Sequence, residues 1–124
     1  MGLKLVHKSG SLFCSDSKRT SRWGCKLYGI SNNRIYTIVT DERKEVVFPD
    51  SKIVNSKDGG FYFLPLFNGQ TADNLVFVNT QKPAYAMKGS ELSIWYGMDL
   101  YDFAESYNGG KHCIDVYATF RKLQ

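Results

Sequence analysis

Short runs of β-branched and aromatic residues, each closed by a turn signal about every ten residues, constrain the fold of this chain more than any other feature of it. Residues 3–7, 26–30, 35–40 and 45–48 are the first such runs, and 74–79, 85–87, 92–96 and 113–120 continue them. Between them stand Asn32-Asn33, Asp41-Glu42-Arg43-Lys44, Lys57-Asp58-Gly59-Gly60, Asn68-Gly69 and Lys88-Gly89, residues that tolerate the backbone of tight turns. Residues 61–67 are nearly all apolar and predict a strand buried on both faces. With 124 residues the chain has room for one core. The expectation is a single mainly β domain over residues 1–124, sandwich-like and compact, with one or two short helices.

One segment breaks the β pattern. Leu100, Phe103, Ala104 and Tyr107 fall at i, i+3, i+4 and i+7, one apolar face of a helix. Asp99 suits its N-cap, and Asn108-Gly109-Gly110 supplies a C-terminal stop. On that reading Asp102 and Glu105 are a solvated helix face. The same spacing also sets out Asp99, Asp102, Glu105 and Asn108 as oxygen ligands for one hard cation such as Ca²⁺. No EF-hand loop is present, so the pattern alone does not choose between the two. Trp95, Tyr96 and Tyr101 lie beside these acids in sequence and offer apolar ring faces on which a sugar can stack.

Enzyme classes find little support. The two histidines, His7 and His112, have no zinc-type spacing, and His112 beside Cys113 on a strand points to the opposite face. Phosphate-binding, dinucleotide and nucleophile-elbow motifs are absent from the sequence. A net charge of +4 favours anions in general, but it is spread along the chain and no nucleic-acid motif accompanies it. Lys18, Arg19, Arg22 and Trp23 form one short basic cluster, expected to be a solvated surface loop. No apolar run approaches the length of a membrane span. Binding rather than catalysis is the expected activity.

Three cysteines bear on compartment. Cys14 and Cys25 bracket the polar run SDSKRTSRWG, a separation that a strand-loop-strand unit can close with a disulfide. Cys113 is then left over, which in a secreted protein points to a link between chains and in a cytosolic one needs no explanation. Secretion is the preferred reading.

The stretch SELSIWYGMDLYDFAESYNGGKHCIDVY, with Leu5-Val6-His7-Lys8-Ser9-Gly10 and Cys14 and Cys25 before it, resembles the calcium-dependent galactose-binding lectins of sea anemones and related secreted invertebrate modules. The matching positions are Trp95, Tyr96, Gly97, Asp99, Asp102, Glu105, Asn108, Gly110, Cys113, Asp115, Val116 and Tyr117. The resemblance implies a lectin for terminal galactose-like sugars on glycans or glycoconjugates. Calcium would sit at Asp99, Asp102, Glu105 and Asn108, and the sugar at Trp95, Tyr96, Tyr101 and Asn108. The odd cysteine, Cys113, and the multivalency a lectin needs suggest a homodimer, because two weak sites together gain avidity. Met98 stands where the pattern has an acid and Tyr107 where it often has Asp, and fewer anionic ligands lower calcium affinity. Asn74-Leu75-Val76-Phe77 followed by Gly89-Ser90-Glu91-Leu92-Ser93-Ile94-Trp95-Tyr96-Gly97 is similar instead to the closing segment of SET-domain methyltransferases, though the cofactor motif of that fold is missing. The remaining alternative is a non-catalytic extracellular interaction module.

Overall fold

The structure, a computed structural model, describes residues 2–14, 18–26, 33–78, 89–101 and 108–120. Among them the chain is mainly β, arranged as two antiparallel sheets of three strands each. In the first sheet β1 (Gly2–Phe13) lies between β4 (Asn74–Val78) and β6 (Gly109–Thr119). In the second, β2 (Thr37–Thr40) lies between β3 (Val46–Phe48) and β5 (Ser93–Tyr96).

Alternation sets the inner face of the first sheet. Leu3 and Leu5 of β1 are buried, and in register with them are Phe77 and Leu75 of β4 on one side and Ala118 and Val116 of β6 on the other. Asn74, Val76 and Val78 point away and are exposed. All four residues of β2 are buried, and Ile38, Val39 and Phe48 share one core with Leu3, Leu5, Leu75 and Phe77. The Phe48 and Phe77 rings join the two sheets, stacked with centroids 5.5 Å apart. Each such side chain removed from water contributes roughly 2–3 kcal/mol.

Turn chemistry follows the sequence where it is described. Asp41 Oδ1 accepts the backbone N–H groups of Arg43 (2.8 Å) and Glu45 (3.0 Å), closing the β2–β3 hairpin. A 3-10 turn at Ser56–Asp58 ends at Gly59, whose φ of 85° is left-handed. Residues 27–30, 85–87 and the first half of the Asn32-Asn33 turn lie outside the described residues.

Three expectations are corrected. Residues 61–67 do not form a strand: Phe61 and Tyr62 make isolated bridges to Asn55 and Ile35, and the rest is irregular. Pro65 removes a ladder donor, and Leu66 beyond it is fully exposed with φ 54°, so the apolar run is a loop that lays Leu64 and Phe67 on the core. The basic cluster is not wholly a surface loop. Trp23 is fully buried, its indole N–H donating to the Ala72 carbonyl at 2.7 Å, because the paired Leu12 and Ser21 backbones draw this segment onto β1. The helix begins earlier than expected: α1 is Gly97–Leu100 with Tyr96 as N-cap, and Asp99 sits in its first turn. The rest of the expected helix, residues 102–107, lies outside the described residues.

Candidate functional site

Strand β5 runs directly into α1, and that junction fixes the candidate site. Gly97 N–H donates to the Tyr36 carbonyl at 2.6 Å. A Cβ at position 97 would stand 2.6 Å from the Gly59 carbonyl oxygen, so only glycine lets the chain turn this close to the 59–60 loop. Asp99 is thereby presented to solvent on the single turn of α1. A carboxylate there is also favoured by the unpaired N–H groups of the first turn.

The aromatic residues of the expected site are held apart. Trp95 is half-buried, donates from Nε1 to Thr40 Oγ1 at 2.8 Å, and carries Lys44 Nζ over its ring at 5.4 Å. Tyr96, its neighbour on the strand, points to the other face, where its hydroxyl donates to the Gly24 carbonyl at 3.1 Å beside Tyr36 and the disulfide cluster. Burial, with Tyr36 adding to it, raises the Tyr96 phenol well above the ordinary tyrosine range. One sugar ring cannot stack on both. Tyr101 follows α1, bonds its N–H back to Gly97 at 3.0 Å and packs against the main core, with burial raising its phenol too. Gly60 makes room for it: a Cβ there would be 2.6 Å from Tyr101 Cε2.

Asn108 lies immediately before β6. Both polar atoms of its side chain, Oδ1 and Nδ2, are buried and have no hydrogen-bond partner among the described residues. Unpaired buried amides of this kind are uncommon, since each costs about 1–3 kcal/mol, and they call for a ligand or a solvent molecule. Asp102 and Glu105 lie outside the described residues. Among the described residues no group of three or more His, Cys, Asp and Glu converges on one point. The two described donors, the Asp99 carboxylate and the Asn108 amide oxygen, are hard oxygens of the type Ca²⁺ takes.

Cys14 and Cys25 form a disulfide across 11 positions, with Cα atoms 5.6 Å apart. With Tyr36 and Met98 they make a second small core against which Phe61 and Tyr96 pack. Met98 is buried there, so the position where the resemblance has an acid faces the interior in this chain. Cys113, on β6, is not in a disulfide.

Two features were not read from the sequence. Arg34 lies 3.9 Å over the Phe61 ring, and Phe61 meets the half-exposed Phe63 edge-on at 5.7 Å, an aromatic and cationic edge created by the loop that had been expected as a strand. His7 and His112 meet through ring nitrogens 2.8 Å apart, although 105 positions separate them. Only the β1–β6 pairing brings them together, and no local signal marks it.

A two-sheet antiparallel β domain, tied by one disulfide, with an acid on the turn after β5 and an unsatisfied amide at the start of β6, is the class of protein these observations define. Neither protein-family models nor curated protein sequences give a match to this chain. Among solved structures it is similar to AJLec, a lectin from the sea anemone Anthopleura japonica, with a TM-score of 0.78 and 32% identity over 93% of this chain and 76% of that one. The chain belongs to this sea anemone lectin family. The two segments similar to SET-domain methyltransferases fall in different sheets, β4 in one and β5 in the other.

Proposed function

We propose that the protein is a non-catalytic lectin that binds terminal galactose-like sugars. The observation that carries this is the family membership itself, a likeness to a sea anemone lectin that spans 93% of the chain. The unsatisfied Asn108 amide supports the position of the site. In this reading Asp99 and Asn108, with Asp102 and Glu105, hold Ca²⁺, whose open coordination positions would take vicinal sugar hydroxyls. Asn108 has the further capacity to donate from Nδ2 to a sugar oxygen. Of the aromatic candidates, Tyr101 stands on the same turn as Asp99 and is the nearest in the chain to the acids. Trp95 and Tyr96 complete the proposed sugar-binding set, the first at its partly open ring and the second by shaping the floor of the β5–α1 junction.

The disulfide and the lectin relative support an extracellular location. Among the described residues no helix is long and apolar enough to cross a membrane. A homodimer suits a lectin, because two modest sites together gain 10²-fold or more in avidity when both can engage.

A glycan array with the purified protein, run with Ca²⁺ and again with a chelator, tests the reading. Terminal galactosides are expected to bind with calcium and to be lost with the chelator. Binding that survives the chelator would remove calcium from the proposal and leave direct hydrogen bonds and stacking. An array empty in both conditions would overturn the lectin assignment and favour an interaction module of another kind.

A further inference from the structure

The inner face of β1 continues past Leu3 and Leu5 to His7, whose partner in register, Ile114, also packs on the core. Immediately beyond, the β1–β6 ladder slips between His7 and Ser9, leaving Lys8 as the extra residue of a bulge. The bulge divides the ladder in two. On one side Gly2 to His7 pair with Thr119 to Ile114, and on the other Ser9 to Phe13 pair with Cys113 to Gly109. His7 belongs to the first half and His112 to the second.

The two imidazoles bridge that division. His7 Nδ1 and His112 Nε2 are 2.8 Å apart, with ring centroids 5.1 Å apart and planes 30° from parallel. Such a contact is a hydrogen bond in which one ring nitrogen donates and the other accepts with its lone pair. Trp23, fully buried, meets the His112 ring edge-on at 4.7 Å and backs it against the core. The far end of the outer half is tied independently, by the paired Leu12 and Ser21 backbones and by the Cys14–Cys25 disulfide. Near the bulge, residues 8–10 of β1 are exposed, so few buried contacts hold the strands there.

We propose that the His7–His112 pair is an acid-sensitive clasp across the β1 bulge, closed while at least one facing nitrogen is unprotonated and opened when both rings carry a proton. Two N–H groups cannot face each other at 2.8 Å, and two like charges repel at this separation. The surroundings offer little relief. The Arg22 guanidinium is engaged by Asp73 Oδ1 at 2.8 Å and adds positive charge near His112, while the Arg22 backbone partly opposes its effect. Lys8 and Asp115 pair with each other at 3.9 Å in solvent, and Lys111 adjoins His112 without an acid partner among the described contacts. The His7 backbone N–H donates to the Asp73 carbonyl at 2.8 Å, which ties β1 on the side of the bulge away from the outer half.

Burial first, then His7 and Arg22, lower the His112 pKa from 6.5 to about 4. The sign follows from that direction. At neutral pH His112 is neutral and the clasp is closed, and acidification from about 6.5 toward about 4 progressively favours the opened form, in which the ring can take its proton. The segment expected to loosen is Ser9 to Ser11 with Lys111 to Cys113. The inference does not depend on the sugar or calcium reading.

Imidazole ¹⁵N NMR on the intact protein tests the pair directly, and amide hydrogen exchange tests the consequence. His112 is expected to remain neutral at pH 5.5. After correction for intrinsic rates, protection of the 111–113 amides should fall at least tenfold between pH 7 and pH 4, while that of 37–40 holds. In His7→Gln, whose amide can still donate but cannot charge, the fall should be smaller than in the wild type, the part due to burial of His112 remaining. His112 titrating at the ordinary value, undiminished protection at pH 4, or the same loss in His7→Gln would overturn the clasp. If His7→Gln does not fold, the wild-type NMR titration decides alone.

Discussion

Replacing Asn108 with Leu separates a residue kept for a ligand from one kept for the fold. Among the described residues its Oδ1 and Nδ2 are buried and meet no hydrogen-bond partner. A buried polar group left in that state costs about 1–3 kcal/mol, whereas an apolar side chain of similar shape carries no such penalty. Asn108→Leu should therefore stabilise the protein by about 1–2 kcal/mol, a rise of roughly 4–8 °C in Tm for a domain of this size. The same change removes the amide oxygen proposed for calcium and the amide donor proposed for sugar, so galactoside binding should drop more than tenfold. Thermal melts by circular dichroism and binding to immobilised galactoside measure the two effects on one preparation. A loss of more than about 1 kcal/mol together with intact glycan binding would refute the reasoning, because it would make Asn108 a structural residue whose unsatisfied atoms have no bearing on function.

Removing the disulfide by Cys14→Ala with Cys25→Ala should cost about 3 kcal/mol through the freed entropy of the short loop it closes, seen as a fall of roughly 10 °C in Tm; an unchanged melting curve would place the stability of the segment in Trp23 and the Leu12–Ser21 pairing instead. Gly97→Ala puts a methyl group 2.6 Å from the Gly59 carbonyl oxygen and 3.1 Å from that of Tyr36. It should cost about 1–3 kcal/mol in urea denaturation and weaken galactoside binding by displacing α1 and Asp99; wild-type behaviour in both would mean that the junction is not held as tightly as its contacts imply.

How much of this was legible in the sequence differs by element. Strands β2, β3, β4 and β5 fall within a residue or two of their runs of β-branched and aromatic residues, because period and propensity are local properties. The ends of β1 and β6 are longer than expected: Gly2–Phe13 includes Lys8 to Ser11, and Gly109–Thr119 begins on two glycines. Those residues have poor strand propensity and are held only by each other across the ladder. Residues 61–67 show the reverse failure, since an apolar run reads alike whether it enters a sheet or drapes over a core. For the site, residue type marked out Asp99 and Asn108, but nothing local distinguished a buried unpaired amide from an ordinary helix stop.

The sequence by itself determined a single mainly β domain, a disulfide-closed loop between Cys14 and Cys25, and the family resemblance carried by its β5-to-β6 segment. Those follow from turn spacing, cysteine spacing and a run of contiguous residues, all of which act over a few positions. Only the tertiary structure decided that Trp95 and Tyr96 serve opposite faces, that Trp23 belongs to the core, and that His7 meets His112. Each of these depends on pairings between segments far apart in the chain, and such pairings are selected by how the two sheets bury their faces against one another.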